Sequence, residues 1–359
     1  MTNSNLKPIA IHLPQFHPIP ENDEWWEKGF TEWTNVTKCK PLFEAHYQPQ
    51  LPADMGFYDL RLEESRVAQA DMAKAYGIEG FCYYHYWFNG KRLLNRPLDD
   101  MLRTKTPDFP FMLCWANENW TRRWDGHDQE ILIKQEYSEE DDLQHIKFLC
   151  ETFFGDPRYI KKDAKPFFLF YKPNLFPDIE RTIETWRNEA VKCGIGELYL
   201  GCMQFPTYYS DPNLVGFDCA VEFHPDFVFQ PPKYEGNALN SFLEEHNIPQ
   251  NIYDDNNIIS YKDYVNGMID LPKSPQNVFP GITPGWDNTS RRNFYATIFV
   301  DSSPEEYERW LLSVKEKYKD EKTFLFINAW NEWAEGNHLE PCRKWGRRFL
   351  EVTKKVLRK

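Results

Sequence analysis

The 359-residue chain is short of basic residues: 42 Lys and Arg stand against 55 Asp and Glu, a net charge of −13. Binding to a phosphate backbone asks for a basic face, so nucleic acid is excluded as a partner. The basic segment "RKWGRRFLEVTKKVLRK" at the end reads as one helix with a solvated face. No CxxC pair occurs among the eight cysteines, and Cys82, Cys114, Cys202 and Cys219 lie inside apolar runs. That spread predicts free, buried thiols in a reducing compartment, not a disulfide frame or a zinc knuckle. "MTNSNLKPIA" has no apolar signal core, and no run of 18 apolar residues exists. The expectation is a soluble, cytoplasmic protein with no membrane span. Neither GxGxxG nor GxxxxGK[ST] is present, which removes the usual support for a nucleotide-binding sheet.

Aromatic residues are abundant, at 16%. Eight short apolar runs punctuate the chain: "PIAIHL" (8–13), "GFCYY" (80–84), "FMLCW" (111–115), "FFLFY" (167–171), "LYLGCM" (198–203), "FDCAVEF" (217–223), "VFPGI" (278–282) and "FLFINAW" (324–330). Continuous apolar runs suit strands covered on both faces, as in parallel sheets. Helical patterns fall between several of them. Residues 60–77 keep Leu62, Val67, Ala70 and Ala73 near one face and stop at Gly77. Ser138 with Asp141, and Ser303 with Pro304 and Glu306, open two more helices. Strand and helix in alternation, with eight strands, predict an α/β fold: one (β/α)₈ TIM-type barrel spanning 1–359 with long decorated βα loops. Residues 225–277, rich in Pro, Asn and Tyr, are expected to be long irregular loops.

In such a barrel reacting groups sit just beyond the strands' C-terminal ends. There the sequence places His12, Gln15 and His17; Tyr84, His85 and Trp87; Trp115, Asn117, Glu118, Trp120 and Trp124; Tyr171; Glu222 and His224; Trp286; and Asn331 with Trp333. Aromatic faces beside convergent hydrogen-bonding groups suit a sugar, whose C–H face stacks on a ring while its hydroxyls need donors and acceptors. These residues are therefore candidate contacts to an oligosaccharide or polysaccharide.

Glycoside chemistry needs two carboxyls. Within "NAWNEWAEGNHLEP" (328–341), Glu332 and Glu335 are three apart, so a helical turn would set them on one face. Burial beside a like charge would raise one pKa and suit it to proton transfer near neutrality. A second pairing, Glu118 with Glu332, is open because each follows an Asn at a strand end. The histidines show no HExxH or other ligand spacing, and no metal or cofactor is expected. No GxSxG elbow occurs. Two other functions compete: transfer from an activated sugar donor, with Arg122, Arg123, Arg291 and Arg292 as phosphate contacts, and a non-catalytic carbohydrate-binding barrel.

The blocks "LPQFHPIPENDEWWEKGFTEWTNV", "HYQPQLPADMGFYDLR", "GIEGFCYYHYWFNGKRLL", "WANENWTRRWDG" and "NAWNEWAEGNHLEP" resemble the WbsX-type family, usually labelled a glycosyltransferase of O-antigen or surface-polysaccharide loci. The resemblance runs from about residue 8 to 350. That family is in turn similar to the family 99 glycoside hydrolases, endo-α-mannosidases and endo-α-mannanases built on (β/α)₈ barrels. Their Asn-Glu-Trp-His-Glu-Gly segment matches Asn331-Glu332-Trp333-Ala334-Glu335-Gly336, with Ala334 in place of the histidine. The resemblance implies Glu335 as general acid and then base, and Glu332 as the base that draws the proton from the sugar's 2-hydroxyl. A 1,2-anhydro sugar would follow, opened by water with net retention. Ala334 puts a preference for mannose in question.

Overall fold

The computed structural model describes residues 5–122, 127–204, 211–292 and 294–357. Each of the eight apolar runs forms a strand: β1 (Leu6–His12), β2 (Gly80–Phe88), β3 (Phe111–Trp115), β4 (Lys165–Phe170), β5 (Tyr199–Gln204), β6 (Cys219–Glu222), β7 in two pieces (Val278–Phe279 and Gly281–Ile282), and β8 (Thr323–Ile327). All pairings between neighbours are parallel, and β1 lies between β2 and β8. The two pieces of β7 pair with different partners, Val278–Phe279 with β6 and Gly281–Ile282 with β8. Only Pro280 separates them, and its carbonyl accepts from Phe326 N–H at 2.9 Å. The sheet therefore closes on itself as a (β/α)₈ TIM-type barrel. A proline cannot donate to a ladder, so it falls where the seventh strand changes partners. At Gly281 any Cβ would meet the Glu222 carbonyl oxygen at 1.9 Å, so only glycine allows β7 to pass this close to the end of β6.

Rings plug the barrel near the N-terminal ends of its strands. Phe167 of β4 meets Phe279 of β7 at 5.8 Å and Phe324 of β8 at 5.6 Å between ring centres. These strands are not neighbours of β4, so the rings meet across the interior. Layer helices α1 (Glu63–Tyr76), α2 (Arg96–Thr104), α3 (Glu139–Leu149), α4 (Ile179–Lys192), α5 (Tyr261–Asp270), α6 (Pro304–Lys317) and α7 (Arg348–Leu357) surround the sheet. Their ends follow local chemistry: Ser138 Oγ accepts from Asp141 N–H at 3.1 Å, Ser303 Oγ from Glu306 N–H at 3.4 Å, and Gly77 ends α1 in the left-handed region. Among the described residues no helix is long and apolar enough to cross a membrane. All eight cysteines are free, and six are buried.

Residues 225–277 depart from the expectation of irregular loops. They contain helices Gly236–His246 and Gln250–Asp255, strand Asn257–Ser260 and α5. Pro249 and Asn247 read as loop residues, yet they serve as an N-cap and a left-handed C-cap that let two short helices follow each other. The strand pairs in parallel with Thr297–Val300. Phe43, Phe242, Leu243, Ile258, Ile298 and Val300 belong to a second, smaller core beneath this pair.

Candidate active site

A cleft of about 510 Å³ opens at the C-terminal ends of the barrel strands. Strand alternation decides which predicted residues reach it. Along β2, Tyr84 and Tyr86 line the cleft, while His85 and Trp87 point the other way. His85 Nε2 lies 2.9 Å from His145 Nε2 of α3, and Trp87 stacks on His145 at 4.3 Å and donates to Asp141 at 2.8 Å. Trp115 donates to the Trp87 carbonyl in the same buried layer. Burial pushes the pKa of both His85 and His145 well below the ordinary histidine value, so this pair is neutral packing.

Two asparagines act as clamps between loops. Asn117 exchanges hydrogen bonds with the backbone of Lys172, Nδ2 donating to its carbonyl at 2.7 Å and Oδ1 accepting from its N–H at 2.8 Å. Asn331 does the same with Leu13, at 3.0 and 2.8 Å. Each is buried and tied to the backbone, and each fixes the glutamate that follows it, Glu118 or Glu332, in the cleft wall.

Glu332 and Glu335 lie on the cleft with Arg291 between them. Arg291 Nη2 is 3.0 Å from Glu332 Oε2, and Nη1 is 2.6 Å from Glu335 Oε1. Nη2 also donates to Glu32 Oε1 at 2.8 Å, an oxygen that accepts from Ala334 N–H at 3.0 Å as well. One guanidinium fork thus spaces three carboxyls. Glu32 is fully buried, Glu332 is 4% exposed, and the Glu335 side chain is 20% exposed, so Glu335 faces the opening most. Burial pushes the Glu332 pKa well above the usual carboxylate range; Arg291 pulls it down, and Glu335 and Glu32 push it up further. Burial also works against charge on Arg291, but Glu32, Glu335 and Glu332 outweigh it and hold the guanidinium charged. The turn depends on Gly336, at φ 57°, where a Cβ would meet Gln50 Nε2 at 2.7 Å and Asp287 Cβ at 2.9 Å.

Around the carboxyls stand Trp26, Tyr84, Tyr86, Trp120, Tyr171, Phe223, Phe227, Trp286 and Tyr295, interspersed with Gln15, Asn22, Glu118, Asn119, Lys172, Asn288 and Arg292. Lys172 pairs with Glu118 across the wall. Gln15 Nε2, both amide atoms of Asn22 and Trp286 Nε1 are buried along the cleft without a hydrogen-bond partner. Of the sequence candidates, the fold brings together Gln15, Tyr84, Glu118, Trp120, Tyr171, Trp286, Glu332 and Glu335.

It takes the others elsewhere. His12 meets Gln69 Oε1 at 3.0 Å, and His17 meets the Pro14 carbonyl at 3.2 Å; burial lowers both pKa values to about 4. Glu222 accepts from Ser274 and from Gly281 N–H, and His224 meets the Tyr264 hydroxyl at 2.9 Å, both beside α5 and α6. Trp330 and Trp333 do not pave the cleft. Each donates its indole N–H to Glu340, at 2.8 and 2.7 Å, and Tyr58 and Gln69 add two more donors at 2.8 Å each. Burial raises the Glu340 pKa to about 7 against the pull of those four donors. Trp124 and Arg123 lie outside the described residues. Among the described residues no group of three or more His, Cys, Asp or Glu side chains is spaced to hold a metal ion.

Sequence reasoning missed Glu32, Asn22, Phe227 and Tyr295. Glu32 reaches Arg291 across 259 residues of sequence, so no local pattern marks it.

The chain belongs to the family described as glycosyltransferase WbsX, whose model matches residues 8–353. By that description the family is one of carbohydrate-active enzymes. Two proteins named WxcX, from Xanthomonas campestris pv. campestris strains B100 and ATCC 33913, are 41% and 40% identical to it over 353 residues, 97% of this chain and 49% of theirs. The chain thus spans about half the length of these curated relatives. Among solved structures, a glycoside hydrolase-like protein matches with TM-score 0.61 and 14% identity over 100% of this chain and 96% of its own. The GH99 endo-α-mannosidase from Bacteroides thetaiotaomicron, solved with Bis-Tris propane, matches with TM-score 0.58 and 13% identity over 99% and 97%. At such identities these likenesses show the fold.

Proposed function

We propose that this chain is a retaining, endo-acting glycoside hydrolase or transglycosylase on an oligosaccharide or polysaccharide, with Glu332 and Glu335 as its reacting carboxyls. The observation that carries the reading is the placement of both on one guanidinium in a ring-lined cleft. Glu335, the more exposed of the two, protonates the leaving glycosidic oxygen. Glu332 takes the proton of the sugar's 2-hydroxyl, whose oxygen attacks C1 and displaces the leaving group. Water, or a sugar hydroxyl in transfer, then attacks C1 and gives its proton to Glu335. The ring opens, and Glu332 returns its proton to the 2-oxygen. Two inversions give net retention. A high proton affinity at Glu332 suits a base that must take a proton from an alcohol, and Arg291 works in the opposite direction, favouring its carboxylate. Buried, unpartnered amide groups at Gln15 and Asn22 are the kind a sugar's hydroxyls satisfy.

Transfer from a nucleotide-activated donor is the competing reading, favoured by the family's description. It needs cationic groups for phosphates. Arg291 is engaged by three carboxyls, and Arg122 by Glu130 and the Trp25 carbonyl. The deciding experiment incubates the protein with bacterial surface glycans, with and without nucleotide-sugars and divalent cations, and analyses the products by mass spectrometry. Shorter glycans without any donor are expected. Chain growth that requires the nucleotide-sugar would overturn the proposal.

A further inference from the structure

Tyr295 combines three features that rarely meet in one residue. It lines the cleft, yet it is 77% exposed, whereas Glu332 on the cleft floor is 4% exposed. Its ring contacts no other ring among the described residues. Its backbone lies in the left-handed region, at φ 57°, which is costly for a side chain with a Cβ. Such a conformation persists only where its surroundings over-determine it. Here they do. Tyr295 N–H donates to the Asp255 carbonyl at 3.0 Å, Ala296 N–H to Asn256 Oδ1 at 3.0 Å, and Asn257 N–H to the Ala296 carbonyl at 2.8 Å. Behind these straps, Ala296, Ile298 and Val300 anchor the segment in the smaller core. Residues 255–257 thus hold the backbone that carries one exposed ring.

Phe227 also lines the cleft, against Trp286, whose carbonyl accepts from Phe299 N–H in the strand that follows Tyr295. It is 44% exposed and sits edge-on to Trp286 at 5.2 Å and 75°. Asn288 and Thr297, also on the cleft wall, add hydrogen-bonding groups. A flat, exposed ring next to polar side chains at a cleft mouth fits the C–H face of a pyranose.

We infer that Tyr295, with Phe227, forms a separate sugar-binding position at the cleft mouth. It would hold a pyranose of the same glycan beyond the one that reacts, so that the site selects for chain length. This rests on the glycan reading proposed above.

The test is a glycan array of bacterial surface oligosaccharides two to eight residues long, probed with Glu335→Gln protein alone and carrying Tyr295→Ala or Tyr295→Phe. Binding should strengthen with length in the parent. In Tyr295→Ala the long members should bind roughly three- to tenfold more weakly, so that the difference between long and short collapses, while Tyr295→Phe keeps it. An unchanged length dependence in Tyr295→Ala overturns the inference and leaves the glycan reading standing. So does equal weakening at every length, since that marks a general distortion of the cleft. Binding of no glycan to either the parent or the wild-type protein overturns both.

Discussion

Replacing Arg291 by methionine tests the electrostatic design of the site without any substrate. Arg291 pairs with Glu32, Glu332 and Glu335, and its side chain is 18% exposed. Methionine fills similar space and removes the charge. Breaking a buried ion pair by deleting one partner costs about 3–5 kcal/mol, because the other charge stays buried and uncompensated. The pH dependence follows from the direction of the shift. The folded pKa of Glu332 is already raised, and losing Arg291 raises it further. A carboxyl raised in the folded state contributes stability below its unfolded pKa of about 4.3, and loses it as pH rises through the folded value. The variant should therefore melt close to wild type near pH 4.5 and fall progressively behind toward pH 8. With about 2.1 cal/mol/K of unfolding entropy per residue, 3–5 kcal/mol corresponds to roughly 4–7 °C in this chain. Thermal melts at several pH values would measure it. A gap of equal size at pH 5 and pH 8, or no gap at pH 8, would refute the reasoning.

Three further outcomes are expected. Glu335→Gln should lower turnover of a cleaved glycan by roughly 10²–10⁴-fold with the melting temperature retained, and Glu118→Gln should cost far less; equal losses would favour the pairing of Glu118 with Glu332. Gly336→Ala should destabilise the protein by about 1–3 kcal/mol in urea titration, because a Cβ there meets Gln50 and Asp287 in a left-handed turn. Glu340→Gln should destabilise by about 1–3 kcal/mol for each donor left facing an N–H, read in the same titration, although the residue does not line the cleft.

The barrel was legible because parallel strands covered on both faces leave continuous apolar runs, and each of the eight runs became a strand. The helices of residues 225–277 were not, because Pro249 and Asn247 punctuate short helices with the same residues that punctuate loops. The strand-end rule located the cleft but did not sort its residues. Alternation along β2 separates Tyr84 and Tyr86 from His85 and Trp87, and that period was present in the sequence. Trp333 read as a sugar contact, but it and Trp330 are donors to the buried carboxyl of Glu340. No sequence pattern points to the contact of Glu32 with Arg291, since it exists only once β7 and β8 close the barrel beside β1.

The central claim is that Glu332 and Glu335 cleave a glycan with water, unaided by an activated donor. Digestion of surface polysaccharide in ¹⁸O-labelled water, followed by mass spectrometry of the products, tests it most directly. The account predicts one ¹⁸O atom at each new reducing end with wild-type protein and none with Glu335→Gln. Label incorporated equally by both proteins, or products that form only when a nucleotide-sugar is added, would contradict it.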